Sequence, residues 1–136
     1  MAKKTWLEKF NSNRTYVVKV IDTKFADMEA GAVMFIATPK IIDNYIQQIP
    51  SGVAVDIVTM REDLANEYEA EKTCPVTTGI FLRIVSEVAY EQYQKGTSID
   101  DITPFWRVVN SKMPLAKKLA CGIEFIKEQR ENEGLL

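Results

Sequence analysis

The apolar positions along the chain predict short helices mixed with a few strands. Near the start, three apolar side chains recur at the spacing of one helix face: Trp6, Leu7 and Phe10. They predict a short amphipathic helix. The β-branched and aromatic run of residues 15–21 predicts a strand or extended arm, and the apolar run of residues 32–37 predicts a second strand. Between them we expect one turn of helix that ends at Gly31.

Two further helices are predicted from their capping residues. Thr38 can cap a helix in which Pro39 takes the first position. One apolar stripe runs along it: Ile41, Ile42, Tyr45, Ile46 and Ile49. Asp56 can cap the next helix. Its predicted inward face is Ile57, Met60, Leu64 and Tyr68, and its predicted water-facing side is Arg61, Glu62, Asp63, Asn66 and Glu67.

A longer helix is predicted after residues 73–79, with Gly96 as its stop. We expect four of its side chains to pack inward: Ile80, Ile84, Val88 and Tyr93. Gly79 costs a helix about 1 kcal/mol relative to alanine. We therefore expect another backbone to approach it closely.

The C-terminal part reads as a short extended segment, residues 103–109, followed by a helix that ends at Gly134. The predicted fold class is therefore α+β, mainly helical. A helix-turn-helix followed by an extended segment is the skeleton of a winged helix, which many small α+β domains share. We expect residues 1–38 to be a short N-terminal extension packed on a winged helix-turn-helix domain of residues 39–136.

Composition narrows the possible functions. The chain of 136 residues fits one domain, and it contains no apolar run long enough to span a bilayer and no signal peptide. We therefore expect a cytoplasmic protein that does not enter membranes.

Histidine is absent, and Cys74 and Cys121 lie far apart, so neither a zinc site nor a Ser-His or Cys-His nucleophile pair is indicated. We expect no metal and no cofactor.

Acidic residues are absent from two windows of the chain. Nineteen acids in 136 residues predict about three in any 22, yet residues 102–123 contain none. The second acid-free window is residues 72–86. One interpretation is that both windows are core and loop. The other is that they face phosphates, because lysine-bearing loops and helix N-termini bind the nucleic-acid backbone. The net charge of −2 argues only against indiscriminate coating of nucleic acid.

One stretch carries a family resemblance. TPFWRVVNSK, residues 103–112, resembles the active-site signature of the O6-alkylguanine-DNA alkyltransferases, which is Pro-Cys-His-Arg-Val-Val followed by Asn or Ser. This likeness to the true enzymes covers residues 39–134. Three more stretches resemble cysteine-less proteins assigned to the same methyltransferase family, and this second likeness covers the whole chain: KTWLEKF, CPVTTGIF and CGIEFIKEQRENEG.

The resemblance implies a winged helix that grips the minor groove of DNA and flips an alkylated guanine into a pocket. In the true enzymes a cysteine thiolate then accepts the alkyl group. Here Phe105 stands at the cysteine position and Trp106 at the histidine position. The family's tyrosine corresponds to Ile57, and its arginine finger falls near Pro75 or Val76. The resemblance therefore implies a catalytically inactive relative.

Five residues define what we call the relic pocket: Ile57, Pro104, Phe105, Trp106 and Glu133. The sequence leaves open whether the aromatic pair Phe105 and Trp106 fills this pocket or offers a surface on which a base can stack. For Arg107 and Glu133 we favour a structural ion pair that anchors the last helix over any catalytic role of Glu133.

Two main functions remain, and neither is enzymatic. The first is a non-catalytic DNA-binding protein for DNA repair or damage recognition. Its candidate DNA contacts are Thr77, Thr78, Arg83, Arg107, Asn110, Lys112, Lys117 and Lys118. The alternative is a protein-interaction or dimerisation module that keeps the fold without binding DNA, with a repair protein or a second copy as partner. An enzyme would need lysine or carboxylate chemistry for which the sequence indicates no site.

Overall fold

A computed structural model describes residues 4–135 and shows an α+β fold in which helices dominate. Within this described range there are six helices: α1 Trp6–Phe10, α2 Pro39–Gln47, α3 Ile57–Glu67, α4 Pro75–Gln94, α5 Pro114–Lys118 and α6 Gly122–Asn132. The strands are β1 Val17–Val20, β2 Val33–Ile36 and β3 Lys72–Thr73. Two 3₁₀ turns lie at Ile99–Asp101 and Phe105–Arg107. The predicted fold class is confirmed at this level. Residues 1–3 and 136, which the predicted domain bounds include, lie outside the described residues.

The predicted starts of α2 and α3 are confirmed by their capping bonds, whereas α4 begins at Pro75, earlier than the start after residue 79 that the sequence predicts. Thr38 Oγ1 accepts a hydrogen bond of 3.2 Å from the Ile41 N–H, and Pro39 occupies the first helical position. Asp56 Oδ1 accepts one of 2.8 Å from the Thr59 N–H. These bonds use amide groups that would otherwise lack a partner within the helix, so local sequence alone is enough to set the boundary.

The strands form one three-stranded sheet in the order β1-β2-β3. β1 pairs antiparallel with β2, so that Val17 lies opposite Ile36. β3 pairs parallel with β2, with Met34 opposite Lys72. The sequence does not predict β3, because two residues are too few to show a period. The predicted N-terminal extension thus supplies two strands of a sheet that the chain completes just before α4.

The main core lies between the sheet and helices α2, α4 and α6. Phe35 of β2 is fully buried there beside residues from the C-terminal half. Trp6 and Phe10 of α1 pack against the same cluster. A smaller cluster on the other face of the sheet contains Ile21 and Met28. The segment before residue 39 is therefore packed against the elements that follow it.

Two predicted local structures are wrong. Residues 22–31 form a tight turn instead of a helical turn: Phe25 and Met28 exchange backbone hydrogen bonds of 2.9 and 2.8 Å. The segment at residues 103–109 is not extended, because Phe105–Arg107 form a 3₁₀ turn. The Val108 N–H donates to the Phe105 carbonyl at 3.0 Å and closes that turn. Tertiary packing of the two aromatic rings outweighs their preference for strands.

Several predicted side-chain directions are also wrong. Arg61 does not face water, since its Nη2 donates to the Thr73 carbonyl at 2.8 Å. Ile80 and Tyr93 are 53% and 40% exposed, although Ile84 and Val88 are buried as expected. Among residues 4–135, nothing lies within 4 Å of a Cβ built at Gly79, so the expected close approach of another backbone is wrong. The space beside Gly79 belongs to an open groove, described below.

Candidate nucleic-acid interface

Phe105 and Trp106 fill the interior at the relic pocket. Phe105 is fully buried and Trp106 is 3% exposed. Their ring centroids lie 5.4 Å apart in an edge-to-face arrangement, and the Phe125 ring stacks 6.1 Å from Phe105. Such aromatic contacts add about 1 kcal/mol each beyond the burial of area. The pair is therefore part of the core and does not present a face on which a base can stack.

Arg107 and Glu133 form the expected ion pair beside this aromatic cluster. Arg107 Nε donates to Glu133 Oε1 at 2.8 Å, and Nη2 donates to Oε2 at 3.0 Å. Arg107 Nη1 donates to the Ile49 carbonyl at 2.6 Å, and the Gly52 N–H donates to Glu133 Oε1 at 3.3 Å. The guanidinium is fully engaged inside the protein. We therefore exclude Arg107 from the DNA contacts predicted from sequence.

The pKa of Glu133 reflects these contacts. Burial alone would raise the pKa of this carboxyl group, but the hydrogen bonds from Arg107, Trp106 and Gly52 and the charge of Arg107 lower it below its ordinary value. Glu133 is therefore ionised at neutral pH. An ionised carboxylate held by several donors serves as an anchor and is a poor proton acceptor.

The surface next to the relic pocket is polar and acidic. A cavity of about 260 Å³ opens there between the two 3₁₀ turns and the end of α2. Asp100, Asp101 and Thr103 line it, together with the edges of Trp106 and Glu133. Carboxylates at this mouth repel phosphates. The relic pocket is thus neither open to a base nor placed in a field that attracts DNA.

The remaining candidate contacts lie in several places. Thr78 is fully buried and donates to the Cys74 carbonyl at 2.6 Å, so it does not reach solvent. Thr77 is half-buried and lines a different cavity beside β1. Asn110 Oδ1 accepts from the Lys112 N–H at 2.9 Å in a turn. Arg83 and Lys118 both line a large groove beside α4. Lys112 and Lys117 are exposed but do not line that groove.

We call this groove the α4 groove. One wall is formed by α1 and the segment after it, and the other wall is formed by the first half of α4 together with α5. The groove has a volume of about 710 Å³. Its cationic side chains come from both walls: Lys4, Lys9, Arg14, Arg83 and Lys118. Within residues 4–135, no aspartate or glutamate lines it. The sequence reading found only two of these five cations, because the other three precede residue 39 and lie outside both acid-free windows.

Aromatic rings hold three of the cations in place. The Trp6 ring centroid lies 4.5 Å from Lys9 Nζ and 5.0 Å from Arg83 Cζ. Arg14 Cζ lies 5.3 Å from the Phe81 ring centroid. Cation–π contacts of this kind restrain long side chains at modest energy. The indole of Trp6 therefore fixes one cation from each wall of the groove.

Arg83 is also tied to the protein at its guanidinium edge. Its Nη2 donates to the Lys118 carbonyl at 3.2 Å, and its Nε lies 3.6 Å from the buried Glu87 carboxylate. The Lys118 and Lys9 ammonium groups have no ion-pair partner among the described residues. Lys4 likewise has no ion-pair partner among the described residues, so these three lysines can meet an external anion without leaving a carboxylate.

The floor of the α4 groove is apolar. Val76 and Ile80 are 54% and 53% exposed on the first turns of α4. Ile57, Ile84 and Leu115 complete the floor. Ile57 is therefore not grouped with the other residues predicted for the relic pocket, of which Pro104, Trp106 and Glu133 line the acidic cavity. Branched apolar side chains on a helix are usually buried, so two exposed ones on successive turns mark a surface that can receive a partner.

Neither cysteine has the surroundings of a nucleophile. Burial and the nearby Glu87 raise the pKa of the Cys121 thiol to about 11, and Cys74 is buried. Within the described part of the chain, no three histidine, cysteine, aspartate or glutamate side chains form a group that could hold a metal ion. None of the helices in that part is long and apolar enough to cross a membrane.

Comparison with known proteins adds no relative. No protein-family model matches the chain, and none of the curated proteins or solved structures that were searched matches it.

Proposed function

We propose that this chain is a non-catalytic, alkyltransferase-like protein that binds the DNA backbone in the α4 groove. The observation that carries this proposal is the lining of the groove, where five cationic side chains meet, no acidic side chain of the described residues lines the surface, and only Arg83 is paired, with the buried Glu87. A cleft lined by charges of one sign attracts counter-ions far more strongly than the net charge of the protein suggests. The chain's overall charge of −2 is therefore compatible with a local phosphate site.

The proposal assigns a winged helix-turn-helix role to α3 and α4. The first half of α4 carries the exposed Val76 and Ile80, with the cations arranged around them. Apolar side chains that touch the minor groove while cations hold the flanking phosphates are a known arrangement in DNA-binding proteins. The resemblance of residues 103–112 to the alkyltransferase signature supports the same assignment.

Because Phe105 and Trp106 occupy the relic pocket, the proposed binding does not include a flipped base. Extruding a base costs a few kcal/mol, which a receiving pocket must offset. We therefore propose binding to duplex DNA with the same affinity whether or not it contains O6-methylguanine. A role in DNA repair then consists of holding the duplex for a repair partner.

Fluorescence anisotropy with a labelled duplex tests this function. The variant replaces two of the three groove lysines that have no ion-pair partner among the described residues, Lys9→Gln and Lys118→Gln. Each lost phosphate contact lowers the slope of log K against log salt by about 0.9. We expect the double variant to bind all duplexes more weakly and to show a slope smaller by about 1.8.

A control with the same change of charge is Lys40→Gln with Lys95→Gln. Both lysines are exposed and outside the groove. We expect its slope to equal that of the wild type. If wild-type protein fails to bind any duplex at low salt, or if both double variants lose affinity equally, DNA binding in the α4 groove is wrong.

A second candidate function is a protein-interaction module that uses the same groove. The exposure of Val76 and Ile80 favours it, because apolar side chains on successive turns suit an amphipathic helix with acidic flanks. The variant Ile80→Ser separates the two functions. A phosphate site should keep its salt slope in this variant, whereas a site for an apolar helix should lose most of its affinity.

A further inference from the structure

The outer edge of β1 is open. β1 is the terminal strand of the sheet, and all four of its residues are exposed. Val17, Val18 and Val20 are 41%, 42% and 60% exposed. Within residues 4–135, no strand pairs with this edge. Natural proteins usually protect such an edge with a charged side chain such as lysine, a bulge, a proline or a covering element. Of these devices, the described part of β1 carries only the lysine, Lys19.

The direction of each backbone group in β1 follows from the pairing. On β2, the carbonyl groups of Val33 and Phe35 accept hydrogen bonds from the β3 side. The backbone groups of the other two residues of β2, Met34 and Ile36, therefore point toward β1, where they face Lys19 and Val17. Consequently, the N–H and C=O groups of Val18 and Val20 point away from the sheet.

We propose that a second copy of this chain pairs antiparallel with the free edge of β1, about a two-fold axis at Val18. The two Val18 residues then exchange both backbone hydrogen bonds, and the two three-stranded sheets become one sheet of six strands. Open edges that add a strand in this way are a common mode of protein association. This inference goes beyond DNA binding and does not depend on it.

Charge selects this register. Counted along extended strands, an axis at Val18 sets position 14 opposite position 22 of the second copy, just beyond the ends of β1, so that Arg14 exchanges its contact with the Phe81 ring for one with Asp22 of the second copy. The two-fold axis repeats that pair at the other end. With the axis at Lys19, two lysines face each other directly, and Arg14 faces Lys24. Like charges opposite each other on neighbouring strands are destabilising. An axis at Val20 leaves Asp22 opposite Val18 and pairs no opposite charges.

The side chains on the helix-covered face of the sheet suit the same register. Tyr16 is held in place by Tyr68 and Phe35, whose ring centroids lie 4.8 and 5.8 Å away. The axis at Val18 places Val20 of the second copy directly opposite Tyr16. A pair of aromatic and β-branched residues across two strands stabilises pairing by about 0.2–1 kcal/mol. Residues that are half-exposed in one copy thus cover each other in the pair.

Sedimentation equilibrium of the full chain tests the proposal, with Val18→Pro as the main variant. Proline removes the outward N–H of Val18 and leaves the bonds between β1 and β2 intact, because those start from Val17 and Lys19. We expect the wild type to be a dimer and Val18→Pro to be a monomer with the wild-type circular dichroism spectrum. A wild type that stays monomeric at millimolar concentration overturns the proposal.

A charge exchange gives a second measurement should Val18→Pro fail to fold. Arg14→Glu places two acids opposite each other at both ends of the paired strands, and we expect its dimer to dissociate at least tenfold more readily. Arg14→Glu with Asp22→Arg restores opposite charges, and we expect its dissociation constant to return to within threefold of the wild type. Equal dissociation of these two variants contradicts the register.

Cross-linking locates the axis. In a Cys121→Ser background, Val18→Cys places two thiols across a hydrogen-bonded pair whose Cα atoms are about 5.5 Å apart, within the range of a disulfide. The matched variant Val20→Cys places its two thiols about 13 Å apart along the strands. We expect oxidation to link the Val18→Cys protein only. Faster linking of Val20→Cys would contradict the axis at Val18.

Discussion

The indole Nε1 of Trp106 donates a hydrogen bond of 2.8 Å to Oε2 of Glu133. The same carboxylate accepts two bonds from Arg107 and one from the Gly52 N–H. One side chain near the end of α6 thereby joins the 3₁₀ turn at Phe105–Arg107 to the loop after α2. Arg130 of α6 reinforces the junction, since its Nη1 donates to the Trp106 carbonyl at 2.7 Å.

Replacing Glu133 should therefore destabilise the protein strongly. In Glu133→Gln, the Arg107 guanidinium stays largely buried without its opposite charge, which costs about 3 kcal/mol. Urea unfolding followed by circular dichroism measures the loss. Glu128→Gln, an exposed change of the same kind on the same helix, should alter the free energy of unfolding by less than about 0.5 kcal/mol. Equal effects of the two changes would mean that the Glu133 junction adds no stability.

The Glu133 ion pair should also make stability depend on pH. The pKa of Glu133 is lower in the folded protein than in the unfolded chain, where it is about 4.3. Its contribution is therefore present above about pH 4.3 and is lost as the pH falls through the folded pKa. We expect the difference in unfolding free energy between wild type and Glu133→Gln to shrink between pH 6 and pH 3. A difference that stays constant over this range contradicts the assigned pKa shift.

Asp43 provides a comparison in which the pKa shift has the opposite direction. Burial raises the pKa of its carboxyl group, although hydrogen bonds from Thr103 and Gln47 oppose this. A carboxyl group whose folded pKa is raised costs stability above that pKa, and the cost is relieved as the pH falls through it. As the pH falls from 6 to 3, the difference in unfolding free energy between wild type and Asp43→Asn should therefore change in the direction opposite to the change for Glu133→Gln.

The aromatic filling of the relic pocket should be costly to remove. Phe105 is fully buried between Trp106 and Phe125, so Phe105→Ala should lower the free energy of unfolding by about 3–5 kcal/mol. Phe25→Ala removes the same atoms at a site that is 41% exposed, and we expect a loss below about 1 kcal/mol. Thermal and urea unfolding provide the measurement. A small loss for Phe105→Ala would mean that the pocket is filled less tightly than the ring distances imply.

The cysteines should react slowly in the folded protein. A Cys121 pKa of about 11, against an ordinary 9.0, leaves about 100-fold less thiolate at neutral pH. Cys74 is buried and adds little. Labelling with iodoacetamide at pH 7.5 should therefore be slow in buffer and fast in urea. Rapid labelling of Cys121 without denaturant contradicts this prediction and would identify a reactive thiol.

Local features were predictable from the sequence because they depend on neighbours along the chain. Thr38 and Asp56 cap their helices through atoms three residues away, so a short window contains the whole interaction. The ion pair of Arg107 and Glu133 is also predictable, but only through the family resemblance. The turn at Phe25 and Met28 was missed because its apolar residues imitate the start of a helix.

The candidate site was harder to predict because residues far apart in the sequence build it. Arg83 and Lys118 were proposed from the acid-free windows, yet Lys9 and Arg14 belong to the same groove and come from the opposite end of the chain. Thr78 and Arg107 were proposed as well, and burial removes both from the surface. No window of sequence distinguishes a basic side chain that meets solvent from one that meets a carboxylate 26 residues later.

The sequence by itself determined where most helices begin, that the segments of β1 and β2 become strands, and that the chain lacks histidine chemistry. Those properties rest on composition and on contacts within one or two turns. Only the tertiary structure decided that Phe105 and Trp106 face inward, that α1 and α4 form the two walls of a cationic groove, and that the edge of β1 stays open. Each of these depends on which distant segments share the core, because burial and shielding of charge are properties of the packed chain.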